Sequence, residues 1–93
     1  MCLRFEWNEA KAQRNLEKYR VSFEEAATVF GDPLSLTIPD PLRSTSEPRW
    51  VTMGLSDGHH LVVVVHTNRG DTIRLISARK ATRREKKAYE EKD

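Results

Sequence analysis

Basic side chains are concentrated in the last third of this chain, where they could bind phosphate groups. Residues 66–87 carry eight Lys and Arg against two Asp and Glu, which gives this segment a net charge of +6. The whole chain of 93 residues has a net charge of only +2. A concentrated positive charge neutralises phosphates and releases their counterions, so this segment predicts a surface for a polyanion. A solvated basic helix end is the alternative.

Two residues of this segment could take part in phosphate chemistry from within the predicted strands. His66 is the best candidate for proton transfer near neutral pH, and the alternative is a strand-end histidine bonded to a neighbour. Arg74 lies inside a strand, where an unpaired charge is costly. It is therefore either functional or held in a structural salt bridge, for which Glu47 and Asp71 are the possible partners.

The junction between the last strand and the last helix is a further candidate for anion binding. Arg79 and Lys80 lie just before a helix N-terminus, where free backbone N–H groups favour a negative ligand. Trp50 could stack on a base or pack on the sheet. The pair at residues 59–60 is histidine, but carboxylates and cysteines are missing at ligand spacing beyond Asp57, so no metal site and no cofactor are expected.

Composition limits the chain to one small cytoplasmic domain. At this length we expect a single domain over residues 1–93. Cys2 is the only cysteine, which excludes an internal disulfide and a multi-cysteine metal site. The longest apolar run, residues 61–65, is far shorter than the ~20 residues of a membrane span. The N-terminal residues show no apolar signal-peptide region, so a cytoplasmic location is expected.

The basic segment must be positioned by a mixture of helices and strands. A helix is predicted from Asn8 to about Arg20, a second from Ser22 to Gly31, and a third after Thr82. Glu25 and Glu85 complete capping boxes with the caps three residues before them. Alternation predicts strands over residues 3–7, 34–38, 49–56, 59–67 and 72–78, with a loop over 39–48.

Two tight turns set the expected register of the last three strands. Asp57-Gly58 and Arg69-Gly70 are read as two-residue hairpin loops. Arg49, His66 and Arg79 then fall together at one end of the face under the helices, and the opposite face carries Trp50 and Arg74. A single bulge near the second turn would exchange Arg74 for Arg79.

The ordered motifs of the chain resemble those of the BrnT family, the toxin of the BrnT–BrnA type II toxin–antitoxin system. The matching segments are Phe5-Glu6-Trp7 with Lys11-Ala12 and Asn15; residues 21–26 and 29–33; Glu47-x-Arg49 with Gly54; residues 61–67 with Arg69-Gly70; and residues 73–82 with Glu85 and Tyr89. The family often has Lys-His-Gly where this chain has Lys18-Tyr19-Arg20. The first helix is therefore expected to end without a left-handed residue.

The resemblance implies an α+β fold of the RelE-like type. It predicts a small antiparallel sheet with two N-terminal helices on one face and a helix at the C-terminus. It also implies RNA cleavage that inhibits growth, and neutralisation by a BrnA-type antitoxin. The expected complex is 2:2 and binds DNA through the antitoxin.

RNA cleavage by the 2′-hydroxyl needs a base, a stabiliser of charge on phosphorus and an acid for the leaving oxygen. The sequence offers mainly cations for this chemistry, so we expect a metal-independent endoribonuclease with slow chemistry. A non-catalytic homologue that acts as a scaffold or corepressor is the alternative. The predicted catalytic residues are Arg49, His66, Arg74 and Arg79. The predicted RNA-binding residues are Trp50, Arg69, Lys80, Arg83 and Arg84.

Overall fold

The structure, a computed structural model, describes residues 3–44 and 48–91 as one five-stranded sheet and three α-helices. In chain order the elements are β1 (Arg4–Glu6), α1 (Glu9–Tyr19), α2 (Phe23–Thr28), a short 3-10 helix (Val29–Gly31), β2 (Leu36–Ser44), β3 (Pro48–Leu55), β4 (Leu61–Arg69), β5 (Thr72–Lys80) and α3 (Arg83–Glu90). The strand order is β1-β5-β4-β3-β2. The predicted α+β class is confirmed.

The sheet is mixed because its first strand runs parallel to its last. β1 pairs with β5 in parallel, whereas every other neighbouring pair is antiparallel. The prediction of an antiparallel sheet is therefore wrong for β1. The predicted loop over residues 39–48 is also wrong in part, since β2 continues to Ser44. Residues 45–47 lie outside the described part of the chain.

The helices begin at the caps that the sequence predicts. The side chain of Asn8 accepts a hydrogen bond from the backbone of Lys11, and Thr82 and Glu85 form a complete capping box on α3. α1 ends differently from the expectation, because Arg20 itself adopts the left-handed conformation, with φ 62°. Its N–H bonds the carbonyl of Leu16, so the C-cap forms without glycine. None of the described helices could span a membrane.

The second capping box is only half formed. Ser22 Oγ accepts the N–H of Glu25, as predicted, but the Glu25 carboxylate turns toward the β3–β4 hairpin. There its Oε2 accepts a hydrogen bond from Ser56 Oγ at 2.6 Å and lies 2.8 Å from His60 Nδ1. These contacts hold the pKa of Glu25 below its usual 4.5. Glu25 therefore fastens α2 to the hairpin.

The β3–β4 loop has one residue more than the sequence analysis assumes. The N–H of Ser56 bonds the carbonyl of His60, and His59 takes a left-handed φ of 65°. This is a three-residue loop closed by a left-handed residue. The extra residue shifts the register by one residue and exchanges the two faces of β3. Trp50, and not Arg49, is therefore opposite His66.

A bulge in β5 changes the faces of its second half. His66 pairs with Leu75, whereas its neighbour Val65 pairs with Ser77, so Ile76 is the extra residue. Ile73 and Leu75 point under the helices, as predicted. Beyond the bulge the alternation is reversed, and Ala78 rather than Ser77 or Arg79 joins the core.

The core lies between one face of the sheet and α2 with its flanking residues. Its buried members are Val21, Phe23, Ala26, Val29, Val62, Val64, Ile73, Leu75 and Ala78. Gly54 allows the 3-10 helix to approach β3, because a Cβ there would lie 2.8 Å from Val29 Cγ1. At that distance any side chain would force β3 and the helix apart.

Asn15 on α1 takes the place of a strand partner for β5. Its Nδ2 donates to the carbonyls of Ala78, at 2.8 Å, and Val21, at 3.0 Å, while its Oδ1 accepts the N–H of Ala78. The side chain is buried, and β1 does not extend this far along β5. One amide therefore satisfies backbone groups that would otherwise be buried without partners.

We expect Asn15→Ala to lower the free energy of unfolding by about 2–4 kcal/mol, because it orphans buried backbone groups of Ala78 and Val21. Urea unfolding followed by circular dichroism measures the change. Gln13→Ala, at an exposed position of the same helix, should stay within about 0.5 kcal/mol of the wild type. Equal losses in the two variants would contradict the role of Asn15.

Candidate functional site

Four of the predicted site residues share the sheet face opposite α1 and α2. Arg74 pairs with Thr67, Arg79 pairs with Val63, and Arg69 pairs with Thr72. Alternation along β4 puts all of these positions on one face, and alternation along β3 adds Arg49 to it. We call this surface the arginine face, and we define it by Arg49, Thr67, Arg69, Arg74 and Arg79.

The bulge at Ile76 is the reason that Arg74 and Arg79 share a face. Their positions differ by five, and in a regular strand an odd difference places two side chains on opposite faces. The extra residue restores the same face, with the two Cα atoms about 13 Å apart along the strand at ~3.3 Å per residue. The prediction that Arg49, His66 and Arg79 meet under the helices is therefore wrong, because only His66 points there.

Each of these two arginines is held by a glutamate. Arg74 Nη1 donates to Glu6 Oε2 at 3.0 Å, across the parallel β1–β5 pair. The two terminal nitrogens of Arg79 donate to the two carboxylate oxygens of Glu85, both at 2.8 Å. The arginine side chains remain 39% and 41% exposed. A ligand phosphate could therefore reach either guanidinium group from solvent.

The Arg79–Glu85 pair is the stronger of the two. Hydrogen bonds from Arg79 are the largest cause that lowers the pKa of Glu85, which falls to about 2 from 4.5. Glu85 also accepts the backbone N–H of Thr82 and so caps α3. Because α3 has no buried residue, this pair is one of the few contacts that fix the helix. Tyr89 supplies another by donating to Asp32 Oδ2 at 2.6 Å.

Thr67 lies in the same row of the sheet as Arg74 and carries an unsatisfied hydroxyl. The residue is 2% exposed, and its Oγ1 has no hydrogen-bond partner. Buried hydroxyls without a partner are uncommon and costly. Its position beside Arg74 adds a polar atom to the centre of the arginine face.

His66 lies on the other face, inside the protein. It is 1% exposed, with Nε2 2.7 Å from Thr52 Oγ1 and Nδ1 2.8 Å from Asn68 Oδ1. The ring of Phe30 packs against it edge to face at 4.9 Å. Burial, the largest influence, lowers the pKa of His66 below its usual 6.5, and the bond to Asn68 opposes this shift. This environment favours a neutral, structural imidazole over a proton-transfer group that contacts substrate.

The remaining predicted RNA-binding residues lie on the helix-covered face and on α3. Trp50 is half-buried beside His66 on the helix-covered face, and Lys80 is exposed on that face opposite Val62. Arg83 and Arg84 are exposed on the first turn of α3. Arg74 has Glu6 as its partner rather than Asp71, and Glu47 lies outside the described residues.

A hollow of about 190 Å³ lies next to Glu85 on the arginine face. It is lined by Leu36, Ile38, Val51, Met53 and Val63 together with that glutamate. Ile38 is 55% exposed although it lies in a strand. The surface beside Arg79 is thus apolar, and exposed apolar patches of this kind favour contact with another molecule.

A family model described as the ribonuclease toxin BrnT of a type II toxin–antitoxin system matches residues 7–85. The chain belongs to the BrnT family of ribonuclease toxins. The match spans α1, α2 and all strands of the sheet except β1, and it ends at Glu85. Membership of a type II toxin–antitoxin family implies an antitoxin partner.

The solved structures include a crystal structure of the Brucella abortus ribonuclease toxin, BrnT, that this chain resembles. The TM-score is 0.63 at 20% sequence identity, over 88% of this chain and 100% of that one. At this identity the likeness shows a shared fold. A comparison with curated protein sequences gave no match.

The sequence analysis missed Glu6 and Asn68 as members of these clusters. Glu6 meets Arg74 because β1 pairs in parallel with a strand that begins 66 residues further along the chain. No local sequence pattern predicts the pairing of β1 with β5. Asn68 could have been found, since it lies two residues after His66 in an alternating strand and must share its face.

We expect the buried imidazole of His66 to make the free energy of unfolding depend on pH in mild acid. Because burial lowers the pKa of His66 in the folded state, we expect it to stabilise the fold above pH 6.5 and to lose that contribution as the pH falls through its lowered pKa. The ring carbon and nitrogen shifts of His66 in NMR spectra should give a titration midpoint below 6.5. His66→Gln should flatten the pH dependence of stability in this range. A midpoint at or above the usual value would contradict the structure.

The Arg79–Glu85 pair should stabilise the fold at neutral pH and lose this effect in strong acid. Since the folded-state pKa of Glu85 is about 2 against 4.5, its contribution is complete above pH 4.5 and is lost toward pH 2. Glu85→Gln should lower the unfolding free energy by at most about 1 kcal/mol at neutral pH, because the pair is partly exposed. The same comparison in strong acid should show a smaller difference. Glu90→Gln on α3 is the control, and a constant difference across pH would count against this pair.

Proposed function

We propose that this chain is itself an active, metal-independent endoribonuclease that works in the cytoplasm, with its catalytic site on the arginine face. The observation that carries the proposal is the bulge at Ile76, because it gives Arg74 and Arg79 a common face. Guanidinium groups bind phosphate oxygens through two hydrogen bonds and stabilise charge that develops on phosphorus. Family membership supplies the reaction class.

Arg74 and Glu6 are the pair best suited to the bond-breaking step. In this proposal Glu6 accepts the proton of the 2′-hydroxyl, and the 2′-oxygen attacks the adjacent phosphorus while Arg74 stabilises the charge on the phosphate. The bond from phosphorus to the 5′-oxygen breaks, which leaves a 2′,3′-cyclic phosphate, and water protonates the leaving 5′-oxygen. Glu85 is the weaker candidate for the base, because a carboxyl with a pKa of about 2 holds a proton poorly at neutral pH. Arg49 and Arg79 would then bind the flanking backbone.

His66 has no direct part in this scheme. Its buried ring would support the face from below, through the strand residues it bonds across β3 and β4. Among the predicted RNA-binding residues, Arg69 lies on the same face as Arg74. Arg83 and Arg84 lie on the first turn of α3, the helix whose Glu85 binds Arg79. We retain these three as backbone contacts.

The partner that we propose is a BrnA-type antitoxin, in a 2:2 complex that binds DNA through the antitoxin. Support comes from the apolar hollow beside Arg79, since an apolar segment seated there would cover the neighbouring guanidinium group. The antitoxin would thus block RNA by occupying the same face.

A non-catalytic scaffold or corepressor is the second candidate function. It is favoured by the engagement of Arg74 and Arg79 with carboxylates and by the burial of His66. A toxin homologue that binds its antitoxin without cleaving RNA would fit these contacts as well.

The test is cleavage of purified RNA by the purified chain in the presence of EDTA. We expect cleavage by the wild type, and a loss of about 100-fold or more for Arg74→Gln, the size that follows removal of a charge-stabilising donor. Glu6→Gln should lose activity to a similar degree. Lys87→Gln removes an exposed cation from α3 and should keep near wild-type activity.

Thermal unfolding of each variant separates lost chemistry from lost structure. Growth and total RNA in an inducible bacterial host provide the second readout. A folded wild type that neither cleaves RNA nor arrests growth would refute the nuclease and favour the scaffold. Cleavage that is unaffected by Arg74→Gln, Glu6→Gln and Arg79→Gln would refute the site.

A further inference from the structure

A second basic surface lies along the outer edge of β5, outside the residues that define the arginine face. β1 covers this edge only at residues 72–74, and α1 lies beside the remainder. An open groove of about 410 Å³ lies between α1 and β5. It is lined by Lys11, Arg14, Asn15, Lys18, Tyr19 and Ile76.

The three cations of the groove form one stripe on α1. Lys11, Arg14 and Lys18 are spaced three and four residues apart, so they lie on the same side of a helix, and all three are exposed. No carboxylate from the described residues lines the groove. Glu9 accepts the indole N–H of Trp7, and Glu17 accepts from Gln13, so both acids of α1 turn elsewhere.

The stripe has the length to follow a nucleic-acid backbone. The Cα atoms of Lys11 and Lys18 are about 10 Å apart at 1.5 Å per residue. A helical single strand has one phosphate per about 3.4 Å, so the stripe spans roughly three phosphates. Asn15 lies among the cations and fixes α1 against Ala78, so their positions do not depend on a loop.

An exposed aromatic ring completes the groove. Tyr19 is 38% exposed, and Lys18 Nζ lies 5.2 Å from the centre of its ring. Tyrosine rings beside cations bind single strands by stacking on bases while the cations bind phosphate. The groove leads toward Arg79, because Asn15 in its lining bonds both the carbonyl and the N–H of Ala78, the residue before Arg79.

We propose that this groove binds single-stranded RNA, with Lys11, Arg14 and Lys18 on the backbone and Tyr19 against a base. The inference rests on the proposed nuclease function, since it gives the substrate a path toward Arg79. An acidic protein segment is the alternative occupant. The groove favours RNA because it is wide and cationic, and its exposed ring is positioned for stacking, whereas a protein contact would need a larger apolar centre.

The test measures binding separately from cleavage. The probe is a short, fluorescein-labelled single strand of 2′-O-methyl RNA, which lacks the free hydroxyl needed for attack, and its affinity is read by anisotropy. Lys11→Gln/Lys18→Gln removes two stripe cations, and Lys86→Gln/Lys87→Gln removes two from α3 as a charge-matched control. Cleavage of unmodified RNA is measured in parallel.

We expect the stripe variant to bind about 25-fold more weakly at about 0.1 M salt, and its salt slope to fall by about 1.4, since each single-strand phosphate contact contributes about 0.7. The control should change affinity much less. Equal losses in both variants would show a net-charge effect and overturn the proposal. Unchanged binding by the stripe variant would overturn it too, and would favour an acidic protein partner.

Tyr19 gives an independent check on stacking. Tyr19→Phe keeps the ring and should keep the affinity for the probe. Tyr19→Leu should lower that affinity by about 5-fold or more, the effect expected from the loss of one stacked base. Equal affinity for both would exclude the stacking contact. If the wild type cleaves RNA but binds the probe independently of this groove, the groove proposal fails and the nuclease proposal stands. If the wild type binds the probe through the groove but does not cleave RNA, only the nuclease proposal fails.

Discussion

Asn15 supports the backbone of β5 two residues after the bulge that places Arg74 and Arg79 on one face of the sheet. The bulge at Ile76 interrupts the ladder with β4, and β1 is too short to continue along the other edge. An unsupported strand of this kind would bury backbone N–H and C=O groups without partners. The amide of Asn15 supplies both a donor and an acceptor to Ala78, so the irregular strand is held in one conformation.

Partial exposure determines what the two Arg–Glu pairs can do. A fully buried pair would hold its arginine permanently, because separating the charges inside the protein is costly. Arg74 and Arg79 are each about two-fifths exposed, and pairs in such positions contribute little net free energy. A phosphate offers the same two-oxygen geometry as a carboxylate. The glutamates therefore orient the guanidinium groups, which remain accessible to solvent.

Local sequence signals predicted the elements and most of their ends. Asn8, Ser22 and Thr82 cap their helices as expected, since a capping side chain bonds a backbone group only two or three residues away. The central strand was also predictable from its valine run. The registers were not, because one additional loop residue, ending in a left-handed His59, turns β3 over. The cationic stripe of Lys11, Arg14 and Lys18 on α1 was likewise not predicted, because the net charge of the surrounding segment is negative.

Residue types along the chain were enough to predict the class of fold, the helix caps, the basic C-terminal segment and the resemblance to a toxin family. Each of these depends on residue types at short, fixed spacing. Only the folded chain shows that Arg74 and Arg79 share a face and that Glu6 meets Arg74. These outcomes depend on a one-residue bulge and on contacts between segments more than 60 residues apart, for example Asn15 with Ala78. Such contacts form only when the whole chain has packed, so no local pattern encodes them.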